Sequence, residues 1–114
     1  REAGTAAVRA AIDVLEGKDR EVAEGFYALV TEVSPDLVPK TFYGFPGFAN
    51  DVGKVVVFMQ PASKFKTRYA TIGFQEYAHL DEGDCWATSW AVEAWTPKVR
   101  DMFSTLVARA TAQA

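Results

Sequence analysis

The spacing of hydrophobic positions changes period twice along this chain. Val8, Ala11, Ile12 and Leu15 recur at helical spacing, and Gly17 stands where a helix C-terminal glycine belongs. A second helix is predicted from Asp19, read as its N-cap, with a stripe of Val22, Phe26, Leu29, Val30 and Val33. Ser34-Pro35 ends it, because a residue before proline is pushed out of the α region. The period then drops to two. Residues 54–60, 67–74 and 87–92 read as strands, with shorter strands expected over 39–43 and 47–50. The last segment is helical again, with Thr96 as N-cap and Pro97 at the first helical position. Its stripe is Val99, Met102, Phe103, Leu106, Val107 and Ala110. This order predicts an α+β domain: N-terminal helices, an antiparallel sheet of about five strands, and a C-terminal helix packed on one sheet face. A chain of 114 residues supports one core, so residues 1–114 are read as a single domain.

The strands carry apolar residues on both faces. Strict alternation points Val55, Val57 and Met59 one way and Val56 and Phe58 the other. Trp86, Trp90 and Val92 likewise share a face opposite Ala87 and Ala91. Helices covering one side leave aromatic surface on the other, and a large exposed apolar patch usually marks a partner or ligand site. The segment KTFYGFPGFA, residues 40–49, concentrates four rings in seven residues and breaks them with two glycines and a proline. These rings either fill the core of a small curved sheet or close over its free face around a pocket. The second reading expects a homodimer or a deep pocket on the helix-free side. Its candidate ligand contacts are Phe45, Pro46, Phe48, Trp86 and Trp90, with Lys66 and Arg68 for an anionic group.

Charge and cysteine usage narrow the classes. A net charge of −3 provides no field for nucleic acid or an anionic membrane, and no apolar run approaches a membrane span. Cys85 is the only cysteine, which excludes an intrachain disulfide and fits a reducing cytoplasm. Residues 79–85 (HLDEGDC) gather the only histidine, the only cysteine and three carboxylates. The spacing is wrong for an EF-hand, and two Cys/His residues cannot make a structural zinc site. The segment reads as a solvated acidic loop with Leu80 and Cys85 tucked inward; a loose site for an oxygen-loving ion is the alternative. Cys85 is expected to be structural rather than a nucleophile with His79 as its base. Lys64, Lys66 and Arg68 alternate, so an extended strand would set all three on one face. That pattern reads as a lysine-protected edge rather than a phosphate or nucleic-acid footprint.

Four segments together resemble a known family. YGFPGF (43–48), GKVVVFM (53–59), RYATIGF (68–74) and LDEGDCWATSWAV (80–92) are similar to the YdhG-like bacterial family, domain of unknown function 1801. The four segments fall in order between residues 43 and 92. The likeness implies a compact α+β domain with an antiparallel sheet and terminal helices. Some relatives are described as frataxin-like iron chaperones, whose work needs exposed carboxylates that hold Fe²⁺ loosely. On that implication the candidates are Glu16, Asp19, Glu21 and Glu24, and Glu76, Asp81, Glu82 and Asp84. The leading expectation is a non-enzymatic cytoplasmic binding domain without a resident cofactor. It would take a small apolar or anionic ligand or a protein partner on its aromatic sheet face. An iron chaperone is the alternative, and an enzyme comes third.

Overall fold

The helical stripes converge on one face of a single sheet. The structure, a computed structural model, describes residues 2–112. Helices α1 (Glu2–Asp13) and α2 (Gly17–Val33) come first. Strands β1 (Val38–Pro39), β2 (Gly47–Ala49) and β3 (Val55–Gln60) follow, then a one-turn helix α3 (Ala62–Phe65). Strands β4 (Ala70–Phe74) and β5 (Ser89–Val92) complete the sheet, and helix α4 (Pro97–Thr111) closes the chain. The strands pair antiparallel in sequence order, β1-β2-β3-β4-β5. This is the α+β arrangement that the periodicity predicts.

Register decides which residues meet the helices. Phe48 lies opposite Val57, Val57 opposite Phe74, and Ile72 opposite both Met59 and Trp90. Directly opposed residues share a face, and these face Val8 and Ile12 of α1, Phe26 of α2, and Phe103 and Val107 of α4. Phe26 meets Phe48 edge-on at 5.6 Å, and Trp90 meets Phe103 edge-on at 6.0 Å. Each such buried side chain contributes about 1.5–3 kcal/mol. Trp95 stacks on Phe103 at 6.3 Å and lies so close to Gly25 that a Cβ there would overlap its indole. Helix α2 is thereby seated against the loop that leads into α4.

Strict alternation fails at one place. A register shift between Phe48 and Ala49 sets Ala49 opposite Val55, leaving Val56 as an extra residue. Val56 turns into the helix-side core, while Val55 lies beside the Cα of Gly47 on the other face. The expected grouping of Val55 with Val57 and Met59 is corrected by this bulge. Phe58 keeps its expected place on the face opposite Val57 and Met59, and that face is the one without helices. There it opposes Gly47 and Gly73, and a Cβ on Gly73 would overlap its ring.

The predicted strand over 67–74 shortens to β4 because Pro61 ends β3 and the chain turns helical. The cause lies far away in sequence. Asp19, expected as the N-cap of α2, instead sits inside that helix, whose capping position is Glu16 with no side-chain cap. The Asp19 carboxylate accepts the Ala62 amide at 2.8 Å and the Ser63 amide at 2.9 Å, stabilising the start of α3. Lys66 ends that turn in the left-handed conformation at φ +54°. Lys64, Lys66 and Arg68 therefore do not share a strand face. Gly17 likewise opens α2, at φ +57°, rather than closing α1. The predicted cap of α4 is present, with Thr96 Oγ1 accepting the Val99 amide at 3.2 Å.

Burial pushes the Asp19 carboxyl up, but the bonds from Ser63 and the Ala62 amide outweigh it and hold the group below its ordinary value. Because the folded value is depressed, the stabilisation is present above the unfolded carboxylate pKa. It is lost as pH falls through the folded value. Asp19→Ala is expected to cost about 1–2 kcal/mol at neutral pH. Urea melts should show the gap between wild type and variant held above the ordinary Asp pKa of about 4 and closing as pH falls below it through the depressed folded value.

Candidate functional site

The aromatic segment is a β-hairpin. Its strands continue past β1 and β2, with the Lys40 amide donating to Gly47 O at 2.9 Å. Phe42 and Phe45 then exchange amide-to-carbonyl bonds of 2.8 and 3.0 Å. Two residues remain for the turn, Tyr43 at φ +49° and Gly44 at φ +82°. Positive φ at both positions is the signature of a type I′ hairpin turn, whose twist matches that of the flanking strands. Glycine takes the second position at no steric cost. Tyrosine at the first does not, since such turns ordinarily use Asn, Asp or Gly there.

The hairpin and α3 cover the helix-free face with rings. Phe42 packs on Phe58 at 4.8 Å, Phe45 stacks on Phe58 at 5.8 Å, and Phe65 approaches Phe45 at 6.0 Å. Lys64 straps the tip, donating from Nζ to Tyr43 O at 3.0 Å and standing 5.3 Å from the centre of the Phe45 ring. Exposure grades sharply outward. Phe45 is 4% exposed, Phe65 50% and Tyr43 79%. The rings close on one another, so this part of the face is filled rather than hollow.

The seven residues expected to contact a ligand do not converge. Phe45 lies inside the ring cluster, and Pro46 is buried beside it in the chain. Phe48 is in the helix-side core against Phe26 and Tyr27, because it follows Phe45 by an odd number of residues. Trp90 is on that same side, between Phe74 and Phe103. Trp86 is 37% exposed in the loop before β5. Lys66 is exposed at the end of α3, and Arg68 is paired with Glu93 at 2.9 Å. The exposed aromatics at the tip, Tyr43 and Phe65, were not among the expected contacts. The Tyr43-Gly44 pair, two residues between the opposed Phe42 and Phe45, is the signal that could have found the first.

The acidic candidates are dispersed. Asp19 serves α3, while Glu24 accepts from Arg9 at 2.6 Å and from Arg20 at 2.9 Å. These bonds, that from Arg9 foremost, hold the Glu24 carboxyl below its ordinary value. Glu82 pairs with Arg109 at 3.3 Å. Among the described residues, no three His, Cys, Asp or Glu side chains form a group suited to a metal ion. Leu80 is tucked inward as expected, but Cys85 is exposed. The loop is anchored at Leu80, and every residue from 81 to 89 stays in contact with solvent. His79 lies at the C-terminus of α4, with Nδ1 2.7 Å from Ala112 O. A carbonyl only accepts, so Nδ1 carries the proton and is bound to the backbone.

Phe45→Ala is expected to cost about 3–5 kcal/mol, as buried Phe truncations do. Urea denaturation of the purified variant measures the loss. Comparison with known proteins sets no further constraint on the site: no family model, curated protein or solved structure matches this chain.

Proposed function

We propose that this chain is a non-enzymatic binding module that engages a protein partner through the tip of its β1–β2 hairpin. The observation that carries this reading is Tyr43, a large aromatic side chain in the left-handed region, 79% exposed at a turn where Asn would be unstrained. A ring held there at a cost of about 1–2 kcal/mol touches Phe42 and Phe45 only from outside and lies beyond the buried core. Aromatic anchors of this kind dominate interfaces because they bury much area while losing little conformational freedom.

The shape of the patch favours a protein over a small molecule. Small ligands need a concavity that encloses most of their surface. The hairpin tip projects, so its complement is a pocket on a partner. Phe65 extends the apolar area beside Tyr43, and Lys64 and Lys66 flank it, which suits a pocket rimmed by carboxylates. Lys64 already orders the tip, so little freedom remains to be lost on docking. An exposed Cys85 suits a reducing compartment, where a lone surface thiol persists. Membership of the YdhG-like family belongs to the same proposal and rests on the four segments that suggest it. The iron-chaperone alternative draws no support from the carboxylates, of which Asp19 and Glu24 are committed to structural bonds.

Tyr43→Asn separates function from stability. The variant is expected to be at least as stable as wild type in urea, since Asn-Gly is the favoured pair for this turn. A photo-crosslinker at position 43, compared with one at Lys98, identifies the partner. Calorimetry with the purified partner should then show binding weakened roughly tenfold or more by Tyr43→Asn. Equal affinity for wild type and variant, or no purified protein that binds, would defeat the proposal.

A further inference from the structure

At the opposite end of the central strands, the chain leaving β4 and the loop entering β5 enclose a cleft of about 600 Å³. That volume is in the range of small-ligand sites. Its floor is apolar and buried, formed by Phe74, Ala78 and Leu80. Trp86 forms a wall and is 37% exposed. Unlike Trp90 and Trp95, it packs against no other ring among the described residues. Glu76, Asp81 and Asp84 also line the cleft, none of them in an ion pair among the described residues, and the lining includes no Lys, Arg or His.

We infer that this cleft binds a small quaternary ammonium group. Three features select that chemistry. A partly exposed indole attracts a cation through its quadrupole, and Trp offers the strongest such face. Carboxylates in a lining that includes no Lys, Arg or His reject an anion and favour a positive charge nearby. The apolar floor accepts methyl groups, which a quaternary ammonium carries and a hydrated metal ion does not. A metal would instead need carboxylates gathered in one place, and the described residues hold no such group. The cleft is separate from the hairpin tip, so this inference does not depend on the proposed partner.

The test uses choline and its uncharged carbon isostere, 3,3-dimethylbutan-1-ol, with phosphatidylcholine vesicles as a second arm. Choline should saturate a single site, read from Trp fluorescence and from amide shifts at Phe74, Ala78 and Leu80. The isostere should bind roughly tenfold more weakly or worse. Trp86→Ala and the double variant Asp81→Asn with Asp84→Asn should each weaken choline binding by a similar factor; the double variant should leave the urea midpoint unchanged, and amide shifts outside the cleft check that Trp86→Ala remains folded. Binding to free choline assigns a soluble ligand. Co-sedimentation with the vesicles, lost in Trp86→Ala, assigns a lipid headgroup. Either result supports the inference. Equal affinity for the isostere, shifts centred outside the cleft, or saturation by neither choline nor vesicles would overturn it.

Discussion

Phe58 obliges this chain to close over both faces of its sheet. It projects from the central strand away from all three long helices, where water would otherwise cover a full aromatic ring. Room for that ring comes from below, because its two cross-strand partners are Gly47 and Gly73. Cover comes from the side, because Phe42 and Phe45 swing over it on the hairpin and Phe65 follows on α3. The segment that two glycines and a proline interrupt is a regular hairpin. Its glycines serve close approach at one position and a positive φ at another.

That second layer is held by polar bonds to distant parts of the chain. Asp19 on α2 fixes the first amides of α3, and Lys64 on α3 fixes the hairpin turn. Each link is short, and each joins elements that make no strand pairing with one another. The buried carboxylate depends on ionisation to accept both amides. The strap by Lys64 is exposed and stabilises the tip only modestly. Rigidity at the tip therefore comes mainly from ring packing beneath it, with Lys64 setting the direction in which Tyr43 emerges.

Local signals explain what could be read from the sequence. The stripe on α4 and the Thr96-Pro97 start are contained within a few residues, and both appear in the structure. The strands and their antiparallel order were legible for the same reason. What stayed hidden depends on contacts distant in sequence. No pattern near Ala62 announces that Asp19, 43 residues earlier, will cap a helix there. No alternation rule shows that a bulge will turn Val56 toward the helices. The parity of Trp90 was readable, but which face the helices would choose was not. The candidate ligand contacts were drawn from both faces as a result, and the structure separates them.

Tyr43 and Trp86 differ in one physical respect from the rings buried at the tip and in the core. The remaining aromatics at the tip and in the core are stabilised by one another, so replacing any of them disturbs packing first. Tyr43 touches Phe42 and Phe45 only from outside, and Trp86 contacts no other ring among the described residues. Both extend from a backbone whose course is set by other residues: the Phe42–Phe45 bridge in one case, the Leu80 anchor and the β5 pairing in the other. Neither side chain belongs to the buried core, although Trp86 is only 37% exposed and Tyr43 packs edge-on against Phe42 at 4.6 Å. Apolar surface left in contact with water at these two positions is the observation on which the proposed binding roles rest.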